Sequence, residues 1–415
     1  MLISFAIENY KSFLEENILS MEAKSIDEFN DLNTFSNDKY KLLKSAFIFG
    51  ANSSGKSNFL DAFYNMRISV LRSFTIDDFF SKSCDKVFKF NTMGTQKPTT
   101  FKAEFLIGDV RYYYEFSIKD GLVVKEYLSK DFLKEVRVFE RNSSDALKTY
   151  VSTPFRKMSK NFSYVRPNAL IISTLAHLND PLSQKISNWF KGIEFINSDN
   201  LINNDSIYED RINNYIDLIK LADNNIKKLR VDLVDIDSKV FERFQALQSL
   251  TDIEIPSKIP DLFYSVSKFD ESHNYIEDIE VDFDEMSSSG TKNFMNLIIP
   301  IMDAIEGGKV IVIDELESML HVSLVKFIFN LFNSIDVNKN NAQLITTTHD
   351  VFILNEDIRR DQINFVEKNK FAESSIYALT DFKNVIKSDN ILKKYLLGFY
   401  GAVPQIQVLF NAKNR

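Results

Sequence analysis

The chain has 415 residues, 44% hydrophobic and 26% charged, with a formal net charge of −8. That composition supports two or three folded domains, and its acidic balance argues against a cationic coat for non-specific nucleic-acid binding. Cys84 is the only cysteine. It excludes an intrachain disulfide or cysteine metal cluster and suits a reducing cytoplasm, while the absence of a long apolar run or secretory signal predicts no membrane partner.

The first residues alternate, placing Ile3, Phe5 and Ile7 on one strand face and Ser4, Ala6 and Glu8 on the other. Ala46–Phe49 reads as a short buried strand. Gly50-Ala51-Asn52-Ser53-Ser54-Gly55-Lys56-Ser57 follows and fits G-x-x-x-x-G-K-[ST]. From Asn58 onward, Phe59, Leu60 and Phe63 fall at helical spacing. Strand, glycine loop and helix is the P-loop arrangement. The glycines let backbone N–H groups close around phosphates, and the helix N-terminus adds partial positive charge. Lys56 is expected to reach the β- and γ-phosphates of ATP and Ser57 to ligate Mg²⁺. An ordinary Gly/Ser turn before a helix is the competing reading, disfavoured by the full match and both flanks.

Three strands are expected at 100–107, 111–118 and 122–128, joined by the turn signals Gly108-Asp109 and Asp120-Gly121. Over 150–250, Asn, Asp, Ile and Lys dominate, and helices are expected at Leu182–Phe190, Ile207–Ala222 and Val240–Leu250. Residues 261–268 and 274–284 read as a strand pair, and 286–404 as helix-strand-helix-strand. Three segments follow: 1–149 as the N-terminal part of an ATPase domain with an antiparallel β-subdomain, 150–260 as a helical insertion, and 261–415 as the C-terminal part.

Lys309-Val-Ile-Val-Ile313 is an apolar strand ending in Asp314-Glu315, the Walker B arrangement. Asp314 is expected in the Mg²⁺ shell, and Glu315 to orient or deprotonate the attacking water. A buried strand followed by a solvated acidic turn is the plainer alternative, weakened by the P-loop in the same chain. His349 follows the strand Gln343-Leu-Ile and can sense a γ-phosphate. A lone histidine proves nothing, but Glu315 and His349 are spaced for one crossover helix and the next parallel strand. Ser288 and Gly290 precede the apolar stretch Phe294–Ile299 and offer a second anion-binding helix end, with a simple serine N-cap as the plainer reading.

The order P-loop, long insertion, signature serine and glycine, Walker B and switch histidine resembles the ABC-type ATPases. The wide separation of Lys56 from Ser288 is similar to the SMC and RecF branch. Nearly the whole chain, least so roughly 150–250, resembles the bacterial ATPase family of anti-phage defence that includes the abortive-infection protein AbiLi and the ATPase subunit of the PARIS system. The resemblance rests on Asn9–Phe13, Ser288–Lys292, Asp314–His321, Arg360–Lys368 and Tyr395–Pro404. The signature lacks the double glycine, since Ser289 stands where the first would be, and Gln96 is a Q-loop candidate by position only.

The resemblance implies an α/β P-loop NTPase of ABC type, with a mixed sheet, flanking helices and a helical insertion. It implies head-to-tail ATP sites in a homodimer or larger homo-oligomer, each P-loop covered by the Ser288–Gly290 helix end of another copy. It also implies a sensor and scaffold in anti-phage defence with a separate effector protein, a nuclease or toxin. Residues 350–415 are too few for a fused nuclease domain, and Asp235-Ile-Asp237 reads better as a solvated helix face than as a nuclease pair. Two other functions compete: a repair-type ATPase that clamps nucleic acid, which requires a basic groove and steep salt dependence, and a nucleotide-gated assembly protein with negligible turnover.

Overall fold

The computed structural model describes residues 1–36, 39–81, 86–131, 134–196, 214–235, 258–383, 385–386 and 389–404. Cys84, the expected helix Val240–Leu250, the first part of Ile207–Ala222 and positions 236–237 of the acidic pair lie outside the described residues. The chain forms two compact units: Met1–Phe195 with Ala304–Leu316 and Phe329–Arg415, and Ile196–Asp303 with Glu317–Ile328.

The first unit opens with β1 (Leu2–Glu8), β2 (Asn17–Ser20), a small hairpin of β3 (Thr34–Ser36) and β4 (Lys41–Leu43), and β5 (Ser45–Phe49). A helix, Lys56–Arg72, is followed by β6 (Thr99–Ile107), β7 (Val110–Lys119), β8 (Leu122–Asp131), β9 (Glu135–Arg141), β10 (Tyr150–Val151) and β11 (Glu194–Ile196). The second unit carries β12 (Lys228–Asp235), β13 (Lys258–Phe269) and β14 (Tyr275–Asp282), an antiparallel three-stranded sheet. The first unit is completed by β15 (Val310–Ile313), β16 (Gln343–Thr348), β17 (Ile363–Lys368) and β18 (Ser374–Ala378).

Besides the β3–β4 hairpin, its strands build two sheets, an antiparallel one in the order β10-β9-β8-β7-β6-β1-β2 and a mixed one in the order β11-β15-β16-β5-β17-β18. In the second, β15, β16, β5 and β17 run parallel and β18 pairs antiparallel with β17. Every residue of β5, β15 and β16 is buried, as parallel strands covered on both faces require. The expected turns are present. Asp120 and Gly121 both take left-handed angles, φ +52° and +74°, the geometry of a two-residue hairpin.

One apolar core includes Phe5 of β1, Ile48 of β5, Val312 of β15 and the face of the Lys56–Arg72 helix. Phe5 meets Phe63 stacked at 4.6 Å and Phe59 edge-on at 5.3 Å. Each such phenylalanine contributes about 1.5–3 kcal/mol by burial, so the helix is held by its hydrophobic face. The β1 alternation is interrupted, because the register with β6 shifts between Leu2 and Ser4. Ile3 joins Leu42 and Leu106 in a separate small cluster, apart from Phe5 and Ile7; a bulge turns side chains to the other face.

The segment expected as a helical insertion differs in two places. The first unit continues past residue 150 to Phe195, because the Pro181–Lys191 helix packs its aromatic face on the antiparallel sheet. Trp189 stacks on Phe105 at 4.0 Å, and Phe190 meets Phe105 at 5.6 Å and Tyr114 at 6.2 Å. Its polar residues are a solvent face, which read as a change of domain. Residues 228–235 are extended as β12: Leu229, Val231 and Leu233 alternate with Lys228, Arg230 and Asp232, a period of two. Asp235 therefore ends a strand and does not lie on a helix face.

Residues in and beside two stretches that carry the family resemblance, Gln362 within Arg360–Lys368, Arg359 just before it, and Tyr395 and Tyr400, have structural roles. Arg359 and Gln362 are wholly buried. Arg359 donates to the carbonyls of Lys24, Ile26 and Glu28 and pairs with Asp361 at 2.7 Å, fastening the 24–30 loop. Gln362 donates to Ser45 Oγ at 2.7 Å and accepts from Asn33 at 2.8 Å. Near the C-terminal end, Tyr395 and Tyr400 stack on Phe365 of β17 at 5.3 and 5.7 Å.

Candidate functional site

The site lies in the first unit, at the carboxyl ends of the parallel strands. Gly50–Gly55 leaves β5 and enters the Lys56–Arg72 helix. The first helical bond runs from Phe59 N to Gly55 O at 3.0 Å, and the amides just before it are those a helix start leaves without an acceptor of its own. Ser53 takes φ +62° and Gly55 φ +119°. A Cβ on Gly55 would lie 2.5 Å from Ser374 Oγ and 2.9 Å from Ser12 Oγ; one on Gly50 would lie 2.4 Å from the Val366 carbonyl oxygen. The loop therefore packs directly on neighbouring strands and leaves its outer face open.

Lys56 is 4% exposed. Its Nζ donates to the carbonyls of Gly50 and Ala51 at 3.0 and 3.3 Å and lies 2.9 Å from His349 Nε2, which acts as the acceptor. His349 Nε2 is also 3.7 Å from Glu315 Oε1. Thus the P-loop lysine, the residue after the Walker B aspartate and the histidine at the end of β16 meet at one place. They line a cleft of about 490 Å³ with Asn52, Ser53, Gly55, Ser57, Asn58 and Lys368. Ser54 is buried beneath the loop, its hydroxyl without a hydrogen-bond partner among the described residues.

Asp314 and Glu315 follow β15 directly, and Thr347 of β16 holds both. Its hydroxyl donates to Asp314 Oδ1 at 2.5 Å and accepts from Glu315 N at 2.8 Å. Glu315 has φ +53°, a left-handed conformation that costs a non-glycine residue about 1–2 kcal/mol. The strain turns the carboxylate at the strand end toward the cleft side chains.

Residues from distant parts of the chain brace the loop. Ser374 donates to Ser54 O at 2.5 Å, its N–H donates to Ser12 O at 2.7 Å, and Asn58 donates to Ser12 Oγ at 2.9 Å. Tyr10 donates to Asp61 on the helix at 2.7 Å, and Lys11 pairs with the same carboxylate. Burial pushes the Asp61 pKa up, but the Lys11 and Tyr10 hydrogen bonds and the Lys11 and Lys86 charges outweigh it, leaving it below the usual aspartate value. Asn9–Phe13 thus secures both the loop and its helix. Sequence reasoning missed Thr347, Ser12, Ser374 and Lys368. The three-threonine run before His349 and the Asn9–Phe13 stretch held the available signals.

Ser288 and Gly290 belong to the second unit. Ser288 caps the Ser289–Gly307 helix: its Oγ accepts from Thr291 N at 3.1 Å and lies 2.9 Å from Thr291 Oγ1. Ser288 and Ser289 are exposed, so the serine N-cap reading describes the local geometry. Gln96 lies in an exposed turn, outside the residues that line the cleft.

Parallel strands in the order Walker B, histidine strand, P-loop strand, with the glycine loop opening a helix, define a P-loop NTPase. The family described as "AAA domain, putative AbiEii toxin, Type IV TA system" matches residues 45–355. The chain belongs to this AAA-domain ATPase family. No curated protein matches it. Members generally use ATP and Mg²⁺, and the donor set fits. Lys56 and open loop amides suit phosphate, while one hydroxyl and one carboxylate, Ser57 and Asp314, suit Mg²⁺, which takes few protein ligands beside substrate oxygens. Among the described residues, no helix is long and apolar enough to cross a membrane.

Proposed function

We propose that the chain is an ABC-type ATPase that binds and hydrolyses ATP with Mg²⁺. It acts as a nucleotide-dependent sensor and scaffold in bacterial anti-phage defence and controls a separate effector. The observation that carries the reading is the meeting of Lys56, Glu315 and His349 in one cleft with the P-loop. Lys56 and the loop amides hold the phosphates. Mg²⁺, when bound, neutralises charge on the transferring phosphoryl group and is held by Ser57 and Asp314. Glu315 orients the water and takes its proton, and His349 senses the γ-phosphate. When nucleotide binds, phosphate oxygens take the place of the Gly50 and Ala51 carbonyls as acceptors of the Lys56 ammonium.

The active unit is at least a homodimer, in which the Ser288–Gly290 helix end of one copy covers ATP on another. The exposed serines at the start of a 19-residue helix support this, since such an end suits an anion. The family description, with its AbiEii toxin and type IV toxin–antitoxin system, supports the defence setting.

The test measures phosphate release and particle mass with ATP and Mg²⁺ for wild type, Lys56→Ala and Glu315→Gln. Wild type is expected to assemble and turn over, Lys56→Ala to do neither, and Glu315→Gln to assemble without turnover. Wild-type hydrolysis by Glu315→Gln overturns the assignment of the base. A wild type that stays monomeric and does not hydrolyse overturns the ABC-type reading.

A further inference from the structure

The stretch Arg360–Lys368 ends on a residue that the nucleotide chemistry above does not use. Lys368 closes β17, the neighbour of the P-loop strand on the side away from β16. It pairs in register with Ser374, whose hydroxyl bonds the P-loop carbonyl of Ser54. Lys368 is exposed and lines the same cleft as Lys56. Among the described residues its ammonium makes no hydrogen bond or ion pair. Neighbouring Glu367 instead accepts from Tyr377 at 3.1 Å. An unneutralised cation facing a loop of open amides selects an anionic oxygen ligand.

Its place in the sheet decides which part of that ligand it meets. Asp314, Glu315 and His349 stand at the ends of β15 and β16, on one side of β5. Lys368 stands at the end of β17, on the other. If Glu315 and His349 face the γ-phosphate, the phosphates nearer the nucleoside fall to the β17 side. We infer that Lys368 is a second phosphate-binding lysine, taking the α–β part of a nucleotide's phosphate chain. This rests on the nucleotide-site reading above.

The test is nucleotide binding by calorimetry on the full chain, with ATP and with ADP, across a range of NaCl concentrations. It compares wild type, Lys56→Ala, Lys368→Ala and Lys368→Arg. Lys368→Ala is expected to raise Kd about tenfold for ATP and ADP alike and to flatten the salt dependence, as loss of one charged hydrogen bond predicts. Lys368→Arg restores most of the affinity, and both Lys368 variants melt like wild type, since that side chain is exposed. Unchanged affinity and salt dependence in Lys368→Ala, with binding lost in Lys56→Ala, overturns the Lys368 inference while the nucleotide reading stands. A loss confined to ATP overturns the α–β assignment. Failure of wild type to bind either nucleotide overturns the nucleotide reading and the role of Lys368 with it.

Discussion

Replacing Thr347 with valine isolates the contact that joins the two Walker B acids. The residue is wholly buried, and valine keeps its branched shape in a strand. The change removes the bond to Asp314 Oδ1 at 2.5 Å and the acceptor of Glu315 N at 2.8 Å. Such losses cost about 1–3 kcal/mol when groups stay unsatisfied. Water reaches the partly exposed Asp314 and Glu315, which places the expected stability loss at the lower end. The effect on chemistry is larger. The Thr347 bond is comparable in size to the left-handed strain at Glu315, φ +53°, so without it the carboxylate relaxes from its position beside His349. Loss of a side chain that orients a metal ligand typically costs about 10–100-fold. Phosphate release measured against Mg²⁺ concentration is expected to fall by that factor, with the half-saturating Mg²⁺ concentration raised. ATP affinity in EDTA is expected to remain unchanged, because the P-loop is untouched. Thr347→Ser is expected to recover activity. A valine variant with wild-type turnover and Mg²⁺ dependence refutes the reasoning.

Gly55→Ala places a Cβ 2.5 Å from Ser374 Oγ at φ +119°; a loss of about 1–3 kcal/mol in urea unfolding and weakened ATP binding are expected. Glu126 is wholly buried, accepts from Ile171 N at 2.7 Å and Tyr114 Oη at 2.9 Å, and lies 3.7 Å from the buried Arg141. Glu126→Ala leaves that guanidinium without its counter-charge, so unfolding free energy is expected to drop by about 3–5 kcal/mol, with Glu126→Gln milder. Asp61 has a folded pKa below its ordinary 3.8, so its charged form stabilises the fold above the unfolded pKa and that contribution disappears as pH falls through the folded value. The stability gap between wild type and Asp61→Asn is therefore expected to be constant from about pH 6 to 8 and to shrink below about pH 4; a gap independent of pH counts against the Lys11–Asp61 pairing.

What was legible depends on whether the physics is local. Phosphate binding by a loop needs glycines, a lysine and a hydroxyl within one window, so Gly50–Ser57 is readable wherever it occurs, and β5 and its helix follow. The β15 strand with Asp314-Glu315 is local in the same way. Lys368, Ser374, Ser12 and Thr347 do not share that window. They reach the site because β17 lies beside β5, β18 beside β17, and β16 between β5 and β15. Nothing near Ser374 in the chain states that its hydroxyl will support Ser54. The error at residue 150 has the same origin: a polar helix face looks like a change of domain until Trp189 has Phe105 to stack on. Residues that touch a ligand are readable from their own chemistry, whereas residues that position them become visible only when strand order is known. Arg359 and Gln362 illustrate the second class. Gln362 lies in the Arg360–Lys368 stretch that carries the resemblance and Arg359 just before it; their side chains fasten the 24–30 loop and the P-loop strand, and Lys368 alone in that stretch lines the cleft.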